Sequence, residues 1–220
     1  RQAICRKLLR DNGLTSAPEQ ICVSTGAKQA LFNAVMAVTN PGDQVIIPTP
    51  GWVSYVEMVK LVGGIPVCVP CLEDAQLDLE AIRKAITPKT AAIIINSPNN
   101  PTGAVYTSES LRAIAELAVQ NNIYVIADEI YEKLVYGESS HYSIAAVSPE
   151  IYERTIVING MSKAYRMTGW RIGYSAAPRD IARGINALQG HVTSNSTTFV
   201  QWAAIEALEQ GEKDVKSMVA

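Results

Sequence analysis

Four short stretches carry the residues best suited to chemistry: Ser24-Thr25-Gly26-Ala27-Lys28, Asn96-Ser97-Pro98-Asn99-Asn100-Pro101-Thr102-Gly103, Asp128-Glu129-Ile130-Tyr131 and Asn159-Gly160-Met161-Ser162-Lys163. Lys163 reads either as a solvated surface lysine or as an amine that condenses with an aldehyde to a Schiff base; lysine suits the second role because its pKa moves readily with burial and neighbouring charge. Arg171 follows within Met167-Thr168-Gly169-Trp170-Arg171-Ile172-Gly173, where its planar fork suits a phosphate. Asp128 ends an apolar run and is either a helix cap or strand-end ion pair, or the carboxylate that keeps a pyridine nitrogen protonated. Tyr131 is a packing tyrosine or a hydrogen-bond partner for a phenolic ring oxygen. Gly26, Ala27 and Lys28 open a helix after a strand, with Ser24 or Thr25 as its cap, and small residues there let backbone N–H groups approach an anion. Trp52 is a core aromatic or a ring that stacks on a flat ligand. Asn100 is a turn residue or an amide donor to a ligand oxygen. Each piece alone is ambiguous; together they supply an aldehyde trap, a pyridine partner, a phosphate cradle and a stacking ring.

These stretches follow a regular pattern of elements. Short β-rich runs are expected at residues 20–24, 44–48, 65–69, 91–96, 123–127, 155–159 and 172–176. Several, such as Ala92-Ile93-Ile94-Ile95, are continuously apolar, as strands covered on both faces should be. Helical patterns fall at 28–38, 52–62, 79–85, 108–121 and 178–189. A further helix ends at Asn12-Gly13, and another begins at Glu212 and runs toward Ala220. Strands interleaved with helices predict an α/β fold in three layers around a seven-stranded, mostly parallel sheet. In such sheets ligands bind beyond the carboxyl ends of the strands, which is where the four stretches fall.

Composition narrows the partners. The 220 residues are 48% hydrophobic, enough for a substantial core. A net charge of −2 supplies no basic field for nucleic acid or a membrane surface. No apolar run approaches the roughly 20 residues that span a bilayer. Cys5, Cys22, Cys68 and Cys71 are too few and scattered for a secreted disulfide framework, and point to a reducing, cytoplasmic compartment. Cys68 and Cys71 form a CxxC inside an apolar run with no second pair, which reads as buried strand cysteines, so no metal is expected. GxGxxG, Walker, GxSxG and HExxH patterns are absent.

The stretches Thr25–Asn33, Trp52-Val53-Ser54-Tyr55, Ser97–Gly103, Ala127–Tyr131 and Met167–Tyr174 occur in the order and spacing of the fold-type I, class I aminotransferases. The chain resembles the bacterial aspartate aminotransferase branch of that family. The resemblance implies pyridoxal 5′-phosphate as cofactor, with Lys163 bound to its aldehyde and carrying the proton, and Asp128 on the ring nitrogen. It further implies Tyr131 and Asn100 on the ring oxygen, Trp52 stacked on the ring, and Arg171, Ser162 and the Gly26–Lys28 backbone on the phosphate; Trp52 and Asn100 also border the substrate. The implied reaction moves an amino group between an amino acid, aspartate foremost, and a 2-oxo acid, 2-oxoglutarate foremost, in a homodimer.

The sequence departs from the family pattern at Gly51, Val56, Gly160 and Arg166. Arg166, near the lysine, would alter substrate fit or point to solvent. Nothing matches the family's small domain or the C-terminal arginine that binds the substrate α-carboxylate, so residues 1–220 are expected to be the cofactor-binding large domain. A β-lyase or a cyclopropane-forming synthase would share the cofactor residues; a non-catalytic sensor domain is a further alternative, against which the full set of cofactor residues speaks.

Overall fold

Consecutive residues of a strand point to opposite faces, so a continuously apolar strand must be covered twice. In a computed structural model that describes residues 1–219, Ile94 packs into one core cluster while Ile93 and Ile95 pack into another. Ile126 and its neighbours Val125 and Ala127 divide in the same way. Each such isoleucine, buried to within a few per cent, contributes about 2 kcal/mol of burial.

The strands are β1 (Ile21–Ser24), β2 (Gln44–Thr49), β3 (Ile65–Pro70), β4 (Thr90–Asn96), β5 (Tyr124–Asp128), β6 (Thr155–Gly160) and β7 (Gly173–Ala176). They form one sheet in the order β1-β7-β6-β5-β4-β2-β3. The pairs from β3 through β6 are parallel; β7 runs antiparallel to both β6 and β1. Helices α2 (Ala27–Val38), α3 (Ser54–Leu61) and α7 (Arg179–Val192) cover one face, and α4 (Leu79–Ala85), α5 (Ser108–Asn121) and α6 (Pro149–Tyr152) the other. The β7 end of that second face is closed by α1 (Gln2–Asn12) and α8 (Thr198–Gln210), with α9 (Glu212–Val219) behind them. The three-layer α/β arrangement is the one expected from the alternation.

Some expectations need correction. The α3 helix begins at Ser54, which leaves Trp52 in the preceding turn. Cys68 is exposed and Cys71 lies beyond the end of β3 half-buried, because β3 is the sheet edge and lacks full cover. The pattern also missed α8, and α7 continues to Val192. The last residue of the expected final helix, Ala220, lies outside the described residues. Among those described, no helix is long and apolar enough to cross a membrane.

Candidate active site

The antiparallel β7 explains where the site forms. Gly173 at its start pairs with Ser24 at the end of β1 and with Gly160 at the end of β6. Arg171, just ahead of Gly173, is thereby set between the loop after β1 and the loop after β6. β4 and β5 end alongside, at Asn96 and Asp128. The four stretches singled out in the sequence thus meet at one sheet end.

They enclose a cleft of about 190 Å³. Its lining includes Ala27, Lys28, Trp52, Asn100, Asp128, Tyr131, Ser162, Lys163 and Arg171. Gly26 sits against the Arg171 guanidinium: a Cβ added there would come within 2.9 Å of Arg171 Cζ. Every residue nominated from the sequence is therefore in or against the cleft. Lys163 Nζ lies 5.3 Å from the centre of the Tyr131 ring, and Lys28 Nζ lies 4.7 Å from that of Trp52.

Neither Ser24 nor Thr25 caps α2. Gly26 holds that position, at φ 87°, without a side-chain hydrogen bond. The Ser24 hydroxyl instead donates to Gln189 Oε1 on α7 at 2.5 Å. The first N–H groups of α2, including those of Ala27 and Lys28, have no intrahelical acceptor and carry the positive end of the helix dipole. With the adjacent guanidinium they form an anion seat. Arg171 itself is in the left-handed region and donates from Nη1 to Thr168 O at 2.9 Å. Gly26→Ala combines a left-handed φ with a collision against Arg171, and is expected to cost about 1–2 kcal/mol of stability. Urea unfolding with and without inorganic phosphate checks both parts: phosphate should stabilise the wild type and stabilise the variant much less.

Asp128 is 5% exposed and accepts from Tyr55 Oη at 2.8 Å and from Ile130 N at 3.2 Å. Burial raises its pKa to about 6, against the lowering effect of those two donors; the Glu129 carboxylate raises it further and Lys163 lowers it. Asn96, also in the lining, donates from Nδ2 to Asp128 O at 2.9 Å and accepts from Asn100 N at 2.8 Å. It ties the ends of β4 and β5 together. Thr168 Oγ1 donates to Ser162 O at 2.9 Å and braces the loop that carries Lys163.

Residues 1–220 match the family described as aminotransferase class I and II. The chain belongs to that family. It is 48% identical over 220 residues to the aspartate aminotransferase of Geobacillus stearothermophilus, covering 99% of this chain and 56% of that protein. It is 47% identical over 214 residues to the aspartate/prephenate aminotransferase of Thermus thermophilus, covering 96% of this chain and 54% of that one. The structure of a Thermus thermophilus aspartate aminotransferase with maleate superposes with a TM-score of 0.93 at 46% identity, over 99% of this chain and 56% of its own. That of an aromatic aminotransferase from Pyrococcus horikoshii OT3 does so with 0.95 at 43% identity, over 99% and 60%. The chain thus spans little more than half the length of these relatives.

Within this aminotransferase-family cleft, reasoning from the sequence left Tyr55, Asn96 and Thr168 without roles. Tyr55 stood in the Trp52–Tyr55 motif, but only the fold reveals that its phenol reaches Asp128, 73 positions away. Two of the four departures also resolve. Arg166 is exposed, at φ 52°, and lines a neighbouring groove with Tyr165, Trp170 and Glu206 instead of the cleft. At Gly160 a Cβ would come within 2.9 Å of Gly173 Cα, so the tight β6–β7 pairing leaves no room for a serine.

Proposed function

We propose that this chain is the cofactor-holding large domain of a pyridoxal 5′-phosphate-dependent aminotransferase. The observation that carries the reading is the convergence of Lys163, Asp128 and Arg171 in one cleft with Trp52. The residues fit the cofactor on two counts. Asp128 is a buried carboxylate whose raised pKa calls for a cation, which a protonated ring nitrogen supplies. The anion seat at Gly26 and Arg171 exists only because residue 26 has no side chain.

When bound, the cofactor would supply an aldehyde and an electron-accepting ring. Lys163 Nζ would hold that aldehyde and would move a proton at the substrate Cα. The Asp128 carboxylate, steadied by Tyr55, holds the proton on the ring nitrogen. Tyr131 and Asn100 partner the ring oxygen, and Trp52 stacks on the ring. The N–H groups of Ala27 and Lys28, the Ser162 hydroxyl and Arg171 hold the phosphate.

Aspartate and 2-oxoglutarate are proposed as the substrate pair, a choice supported by the names of the relatives. Of the three cations lining the cleft, Lys163 and Arg171 are committed to the cofactor. Among the described residues lining the cleft, Lys28 is the remaining cation and is proposed to meet the second carboxylate of such substrates. Lys28→Ala is expected to raise KM for aspartate about tenfold while changing KM for a monocarboxylic amino acid little, as steady-state kinetics would reveal.

Amino transfer from aspartate to 2-oxoglutarate by the full-length protein tests the reading directly. No transfer dependent on a 2-oxo acid would eliminate it, and release of ammonia instead would favour a lyase. A homodimer is proposed as well, supported by Val192, Phe199 and Trp202, three apolar side chains each about two-thirds exposed. The unpaired cysteines support a cytoplasmic setting.

A further inference from the structure

We propose that the buried Glu129–His141 pair is a positioning unit for the Asp128–Tyr131 turn, its imidazolium offsetting a carboxylate that would otherwise stand uncompensated beside Asp128. The proposal deepens the cofactor reading and rests on it.

Side chains along the turn face two compartments. Asp128 and Tyr131 line the cleft. Glu129 and Glu132 point instead into a closed polar cluster with Lys7, Asn12, His141 and Ser143. Glu129 is 3% exposed and accepts from Ser143 Oγ at 2.6 Å, with His141 Nε2 at 3.3 Å. Glu132 is ion-paired with Lys7, whose side chain is 2% exposed, and accepts from Asn12 Nδ2 at 2.8 Å. The cluster thus clamps the turn to α1 from behind.

Counting charges assigns the roles. Lys7 is committed to Glu132, and Lys133 pairs with Asp11 and Glu212. The counter-charge for Glu129 must therefore come from His141. Neither imidazole nitrogen makes a well-aligned hydrogen bond, so the attraction is one of charge. The groups facing His141 are Glu129 and Glu132 from the turn and Lys7 from α1. Tyr174 of β7 faces the same two glutamates, and Tyr165 faces Glu132. Burial alone would lower the His141 pKa; the carboxylates of Glu129 and then Glu132 outweigh it, and the net direction is upward. A base with a raised folded pKa contributes stability that is complete below the ordinary histidine range and lost as pH rises through the folded value. Loss of that proton leaves Glu129 to push the Asp128 pKa up, the opposite of what a ring-nitrogen partner needs.

In NMR titration of the cofactor-free full-length protein, His141 should titrate above the ordinary histidine range, and Glu129→Gln should lower it. In the loaded protein, the pH midpoint of the absorbance band of the lysine-bound cofactor should rise by about half a unit in His141→Gln, because negative charge nearby favours the protonated form. Glu129→Gln, which removes the carboxylate and with it the reason for His141 to stay protonated, should leave the midpoint near the wild-type value, and so should the double variant. A loosened fold in His141→Gln would not be rescued by removing the second partner. His141 titrating at or below the ordinary histidine range in the wild type, or a band that His141→Gln does not move, overturns the proposal alone. A wild-type protein without the band overturns the cofactor reading and this proposal with it.

Discussion

Lys163→Ala is expected to abolish the absorbance band of the lysine-bound cofactor in the full-length enzyme and to lower kcat by at least about 10³-fold. Both effects have one cause. The side chain is the amine that can both hold an aldehyde and pass a proton within the cleft; the other lysine there, Lys28, lies against Trp52. Lys163 is half-buried at the cleft wall and is absent from the core clusters, so the variant should melt close to the wild type. Spectra and steady-state rates on the same preparation check both points. An unchanged band would remove Lys163 from the role assigned to it.

The second large effect separates stability from activity. Asp128→Asn should reduce kcat by about 10²–10⁴-fold, because a neutral amide does not hold a ring nitrogen in its protonated form. The same change should stabilise the cofactor-free protein at neutral pH. An acid whose folded pKa is raised binds more protons folded than unfolded between the two values, so stability falls as pH rises from the ordinary aspartate range to about 6. Above that pH the full cost is present, on the order of 3 kcal/mol if the shift is taken whole. Urea unfolding of both cofactor-free proteins at pH 5 and pH 8 checks the sign: the advantage of the variant should grow with pH. A variant less stable than the wild type at pH 8 would contradict the assignment of Asp128 as a strained, waiting anion.

Much of this was legible in the sequence, for physical reasons. Strands buried on both faces print as continuous apolar runs, so the seven strands of the sheet were found within a few residues, and a chain that alternates strand and helix forces the chemistry to the strand ends. The side chains of Asp128, Lys163 and Arg171 stood out because their chemical types suit an aldehyde, a pyridine and a phosphate. What was not legible depends on contacts across the fold. Tyr55 reaches Asp128 only after β2 and β4 bring α3 over β5, and the polar cluster around Glu129 and His141 draws Lys7 and Asn12 from α1 at the far end of the chain. The cap of α2 was misplaced because Ser24 found a partner on a helix late in the chain. Cys68 and Cys71 were misjudged because an apolar run does not declare whether its strand is central or at an edge.

The position of β7 has a consequence for synthesis. Strand β1 has β7 as its ladder partner, with Ile21 opposite Ala176. Until the chain has grown past residue 176, β1 is an unpaired edge and the seat at Gly26 lacks Arg171. The central strands β2, β4, β5 and β6 can pair as they emerge, whereas the anion seat is the last part to close. The sheet must therefore be completed from both ends before the cleft exists.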